Sequence, residues 1–403
     1  MGHRAELPSS DLLHIPDGHL FTKLPKVWGA IGLACLAGSW FAAGGDSHVF
    51  APSFLVAFLF GLSLALGALF FTMIQFAARA GWSVTVRRTA ESLMAPLPFF
   101  AVLFLGVYIF RDFLFSHWIG VTAETTDDKI LARKLPYLNE GFWTLRAIIY
   151  FALWSGFSFV FRKLSVKQDA EGGEAITGRL QLLSYPGIIA FGTTATFAAI
   201  DWNMSINPHF YSTMWGVQFF AGCFVSAVCM IALIHLALHR TGLIGSAVNQ
   251  EHYHDLGKLI FAFTVFWAYV SFSQYFLIWY ANIPEETLFY STRSETWSVL
   301  GAMLMAGHFG APFLFMMPRT VKKTPWALMV GCLWMIVFHY LDLYYNVMPN
   351  FSPDSVHFSA VDILSVLGVF GIYFAIVTTV MRKAALVPLK DPRLGEALNF
   401  QNI

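Results

Sequence analysis

The stretch TTATFAAIDWNMSINPHFYSTMWG, Thr193 to Gly216, decides how the chain is built. An apolar helix runs up to Asp201 and Trp202, breaks at Asn207, Pro208 and His209, and restarts near Ser212 as another long apolar run. The corner contains no Lys or Arg and lies near the middle of the 403 residues. It brings an acid, an indole, a histidine and a phenol to one membrane face, and reads as the joint between two halves of an integral membrane protein.

Composition sets the class. Hydrophobic residues make up 57% of the chain and charged residues 12%, with a mean hydropathy of +0.60, far from a soluble domain of this length. Aromatics reach 17%, so helix packing and interfacial anchoring rest on large rings. A net charge of +1 argues against a nucleic-acid partner. Cys35, Cys223, Cys229 and Cys332 all lie in apolar runs without CxxC or CxxCH spacing, which leaves a disulfide scaffold, a cysteine zinc site and covalent haem unsupported.

A helix needs roughly 18 to 25 apolar residues to cross the hydrocarbon core. Ten segments qualify, centred on 27–43, 52–78, 92–112, 141–161, 180–201, 213–238, 256–281, 296–317, 326–346 and 358–381. The expected organisation is a polar segment 1–26 with no cleavable leader pattern, a first membrane half 27–212 with a long loop 113–140, a second half 213–383, and a tail 384–403. Of the Lys and Arg residues, only Arg111, Lys129, Arg133, Lys134, Arg146 and Arg293 fall away from the side that ten crossings give to the N-terminus. The positive-inside rule then makes both termini cytoplasmic and the Asp201 corner periplasmic. Loop 113–140, with Glu124, Asp127, Asp128 and Glu140, is either a docking surface for an outside partner or a solvated loop. The second span exits into Arg79-Ala80-Gly81-Trp82 and the sixth into Arg240-Thr241-Gly242-Leu243, which fits two related four-helix bundles, spans two to five and six to nine, with a flanking helix at each end.

Three stretches carry a family resemblance: DWNMSINPHFYST at 201–213, AARAGWSVTVRRTAE at 77–91, and FAFTVFWAYVSFSQYFLIWYANIPEET at 261–287. The chain resembles the second quinone-binding-type membrane subunit of alternative complex III, the quinol:cytochrome c oxidoreductase, within the polysulfide-reductase-like, NrfD-type anchors. The resemblance implies a bacterial inner-membrane subunit built of two four-helix bundles. It also implies as partners a homologous membrane subunit, an iron-sulfur subunit, haem c subunits and a terminal oxidase. Haem c and iron-sulfur clusters would then belong to those partners, with none bound by this chain. The homologous subunit beside the iron-sulfur protein is the better candidate for quinol oxidation, and a quinone or menaquinone site here is an open alternative.

Ionisable groups inside spans carry the remaining chemistry, because each costs several kcal/mol unless it is paired or hydrated. Gln75, Glu91, His235, His239 and Asp255 fall toward the cytoplasmic side. Asp112, Asp201, His339, Asp342, His357 and Asp362 fall toward the periplasmic side. His308 stands between, with Tyr269, Ser273 and Gln274. Two polar groups with a sparse middle suit proton half-channels. His339 and Asp342 are three residues apart on one helix face, and histidine exchanges protons near neutral pH. The expected relay is Glu91, Asp201, His235, His308, His339, Asp342 and Asp362. Against it, polar side chains in membrane helices often serve only as interhelical hydrogen bonds, and Arg111 with Asp112, or Arg87 and Arg88 with Glu91, suit ion pairs. A secondary transporter would use broken helices, for which Pro96, Pro98, Pro186 and Pro312 are available, but these favour kinks near span ends. The histidines do not supply the paired ligands of a haem b cytochrome.

Overall fold

The computed structural model describes residues 13–402, so Arg4 and the other residues of 1–12 lie outside the described residues. Within them are ten helices long and apolar enough to cross a membrane. They are α1 Leu20–Ala42, α2 Ser47–Ala77, α3 Gly81–Ile109, α4 Glu140–Glu171, α5 Glu174–Ile206, α6 Trp215–Arg240, α7 Gln250–Ala281, α8 Ser298–Met316, α9 Pro325–Asn350 and α10 Ala360–Met381. The protein is an all-α integral membrane protein. Its first helix starts at Leu20, seven residues before the apolar run, where His19 caps the N-terminus by accepting from the Phe21 N–H; Pro25 lies inside the helix.

Two rings of four helices share one seam. α2 packs on α3, α3 on α4, α4 on α5 and α5 back on α2, while α6 to α9 close a second ring in the same way. α2 and α6 form the seam, and there the backbones nearly touch. A methyl group on Gly67 would lie 1.9 Å from the Cys223 carbonyl oxygen. Small residues serve this purpose in membranes, where close van der Waals approach replaces the hydrophobic drive between helices. α2 is almost entirely buried, which explains why it is apolar on every face.

α1 and α10 pack on each other beside this core, with α10 also against α2. A Cβ on Gly371 would sit 2.6 Å from Gly32 Cα. At one end of the pair Arg382 Nη1 donates to Thr22 O (3.1 Å), and at the other Ser39 and Ser365 share a hydroxyl hydrogen bond (2.6 Å). Both described ends of the chain therefore lie on one face, termed here the terminal face; the opposite one is the loop face.

The tetrapeptide match between the halves is out of register. α2 and α6 both end in the same left-handed cap, formed by Arg79 (φ 52°) and Gly242 (φ 77°), with hydrogen bonds from Ala80 N to Gln75 O and from Leu243 N to Leu238 O. Arg79 is thus the counterpart of Gly242, two residues away from the Gly81–Gly242 pairing suggested by sequence.

Candidate functional site

The corner folds as its sequence indicates, and loop 113–140 is folded onto it. Helix turns give way to a 3-10 turn at Met204–Ile206, and α6 restarts at Trp215. A short helix, Lys129–Lys134, is held by Lys134 Nζ donating to Pro208 O (2.5 Å), by Asp128 with His209 (2.5 Å), and by Trp118 Nε1 donating to Ser205 O (3.0 Å). Asp128 is held below the usual carboxylate range by the Leu131 backbone N–H first, and then by His209.

Asp201 is fully committed to this scaffold. Arg146 donates to both its oxygens (2.7 and 2.8 Å), and Tyr137 and Tyr150 each add a hydroxyl at 2.8 Å. Arg146, one of the outer basic residues by sequence, is buried in α4 as the counter-ion of the one acid in the corner. Asp362 has a similar local duty. It caps α10 together with Ser359 and accepts from Ser53 of α2 (2.7 Å).

On the terminal face Glu91 sits within a network of charges. Arg88 Nε lies 3.2 Å from it, Arg87 3.5 Å and Arg162 3.7 Å, while Ser165 donates at 2.8 Å. Asp169 takes Arg88 through both nitrogens (2.7 and 2.9 Å) and Asp391 takes Arg87 (2.6 Å), so three guanidiniums face three carboxylates. Nearby, His235 Nε2 bonds Thr89 Oγ1 at 2.8 Å.

The remaining predicted groups come together at mid-depth. At about 1.5 Å per residue, Ser63 stands roughly 24 Å along α2 from Ser47 and 21 Å from Ala77. It bonds His339 Nε2 at 2.8 Å. His308 stands between the two polar groups as expected, but His339 and Asp342, expected nearer one face, join it there; one ligand atom of each falls within 4.8 Å of the others. All three are buried. Asp342 accepts from Trp267 Nε1 (3.2 Å), and it has no ion pair among the described residues.

Pro312 accounts for the placement of His308. It has no N–H to offer the carbonyl four residues back, at His308, and its ring crowds that position. α8 widens into a π turn over Met305–Gly310 just before it, and Trp334 Nε1 takes the Gly307 carbonyl (2.6 Å). Such turns recur at functional sites. The His308 ring lies flat on Trp267, with centroids 3.9 Å apart. On α6, Gly222 leaves the space that the His339 ring fills, since a Cβ there would be 2.5 Å from Cε1.

A cavity of about 360 Å³ opens beside this cluster between α7, α8 and α9. Its wall is mainly aromatic and aliphatic, including Phe272, Tyr275 and Met305, and its polar edge is Asp342, Asn346, Gln218 and Gln274. Between the cluster and the His235 region, α2 presents only Leu64 to Phe71, an apolar layer. Ser63, Trp267 and Gln218 carry no sequence signal for membership of the site, since nothing in an isolated Ser, Trp or Gln on an apolar helix marks its partner.

No protein-family model matches the chain, and a comparison with curated proteins finds no relative.

Proposed function

We propose that the chain is a membrane subunit of a respiratory quinol:cytochrome c or quinol:oxidase complex of the alternative complex III type, anchoring the assembly and conducting protons through its second bundle. The observation that carries the proton reading is the buried His308, His339 and Asp342 cluster, whose acid lacks a cationic partner. A buried carboxylate of this kind is costly unless it gains a proton or a cation, and two imidazoles stand within reach to exchange one. Asp342 also borders the cavity, which supplies an approach to it. His235 serves the terminal face in this reading. Glu91, Asp201 and Asp362 then act as scaffold, because their oxygens are taken by arginines, tyrosines and a helix cap. The family resemblance supplies the complex, the bacterial inner membrane, cytoplasmic termini, and iron-sulfur and haem c subunits as neighbours.

The cavity favours a second reading, in which this subunit itself binds a quinone. A volume of about 360 Å³ lies within the range of small-molecule sites, and an apolar wall with a few amides and one acid suits a ring bearing two oxygens on an apolar tail.

The deciding experiment is proton movement during quinol oxidation by the purified complex in liposomes, comparing wild type with Asp342→Asn and His235→Ala. Electron transfer that persists without proton movement supports conduction. If rate and proton movement are both unchanged in a fully assembled complex, the chain is an anchor and these residues are structural.

A further inference from the structure

We propose that His308, His339 and Asp342 form a three-ligand site for a divalent transition-metal ion of the zinc type. The inference rests on ligand geometry and does not require the chain to conduct protons.

Ser63 sets the tautomer of His339. With its one hydroxyl hydrogen given to the Phe60 carbonyl (2.7 Å), its oxygen is left to accept from His339 Nε2–H at 2.8 Å. The lone pair of the neutral ring is then at Nδ1, which is buried and without a hydrogen-bond partner. A histidine that donates one ring N–H to a neighbour while presenting the other nitrogen has the arrangement seen at metal ligands. His308 adds a second donor: neither of its ring nitrogens has a hydrogen-bond partner in another residue, and the indole of Trp267 covers its face. Asp342 completes the set with a carboxylate that makes no ion pair among the described residues and accepts only from Trp267 Nε1 (3.2 Å) and Asn346 Nδ2 (3.5 Å).

The surroundings are also acceptor-rich. Gln218 Oε1 and Asn203 Oδ1 are buried without partners, and both residues line one small void, about 10 Å³, with His339 and Asp342. Two imidazoles and a carboxylate with a fourth position open is the donor set of zinc sites that retain a solvent ligand. Ligand atoms around tetrahedral zinc stand about 3.3 Å apart, so the present limit of 4.8 Å must contract by roughly 1.5 Å when an ion binds. The adjoining cavity, with Asp342 in its wall, gives the ion an entry path.

The test is Co²⁺ titration of the full-length chain in detergent, read by its visible d–d absorption and by metal content after gel filtration, with Zn²⁺ as competitor. The expected result is one ion per chain with low-coordinate cobalt bands that Zn²⁺ bleaches. Affinity should fall tenfold or more in His308→Ala and in Asp342→Asn. His209→Ala is the control, because His209 and Asp128 also pair an imidazole with a carboxylate at the surface; it should leave the affinity unchanged. X-ray absorption at the cobalt edge of the wild type guards against variants that fail to fold, with scattering from two imidazoles expected. Absence of stoichiometric binding, binding that survives His308→Ala with Asp342→Asn, loss in His209→Ala, or a spectrum without imidazole scattering would each overturn the site. Loss of proton movement in Asp342→Asn with no metal bound would leave the conduction reading standing alone.

Discussion

Arg146 grips Asp201 with two nitrogens, at 2.7 and 2.8 Å, near the loop-face ends of α4 and α5. The guanidinium also lies 3.8 Å from the Tyr137 ring centroid, and Trp143 Nε1 donates to the Asp201 carbonyl (3.0 Å). One ion pair thereby joins two helices, the loop and the corner.

Removing either partner leaves a buried charge uncompensated, which costs about 3–5 kcal/mol. Arg146→Met is expected to abolish stable accumulation of the protein, whereas Arg146→Met combined with Asp201→Leu recovers much of it. Thermal unfolding of the detergent-solubilised variants measures both.

Gly222→Ala puts a methyl group 2.5 Å from His339 Cε1 and is expected to drive the ring off Ser63. If the mid-depth cluster carries protons, this variant retains assembly and loses proton movement as Asp342→Asn does. Gly67→Ala acts differently. Its methyl would meet backbone, 1.9 Å from Cys223 O, so it is expected to part the two bundles and lower the unfolding temperature.

The C-terminal tail is fastened to α3 by Asp391, which bonds Arg87 Nη2 at 2.6 Å. Asp391→Asn leaves Arg87 with Glu91 alone and should cost about 1.5–3 kcal/mol, the worth of a charge-assisted hydrogen bond. Limited proteolysis is expected to show faster cleavage within 384–402, with the membrane helices intact.

Docking of loop 113–140 carries a pH dependence through Asp128. Its folded carboxyl is depressed from 3.8, so its stabilising contribution is full above that value and is lost as the pH falls through the folded value. Hydrogen exchange across residues 113–140 is expected to show no Asp128-dependent loosening from pH 8 to about 5, and loosening in acid below about pH 4. Asp128→Asn should show the loosened loop at every pH.

Burial, in contrast, leaves Arg293 protonated throughout the neutral range: its value is lowered to about 10. It donates to the Phe289, Tyr345 and Asn346 carbonyls at 2.8 to 3.1 Å, and Arg293→Leu would strand the end of α9 next to the cavity. The expected readout is a lower unfolding temperature, by an amount similar to the loss of two or three charge-assisted bonds.

What the chain's own order of residues determined is the set of features that are local. Ten apolar runs specify ten crossings, because a bilayer demands that each segment satisfy its backbone internally over about 30 Å. Asn207-Pro208-His209 likewise marks the corner, and Pro312 the disturbance in α8, since both act on neighbouring peptide groups. The partners of the polar residues were decided elsewhere. Asp201 meets Arg146 across 55 positions and His339 meets Ser63 across 276, and in neither case does periodicity or spacing name the other member. Depth alone placed His308 apart from His339 and Asp342; the fold sets all three together at mid-depth. The same physics makes these contacts invisible in sequence and decisive in the fold. A polar group in an apolar helix has a fixed cost, but which group offsets that cost depends on which helices pack together and at what rotation.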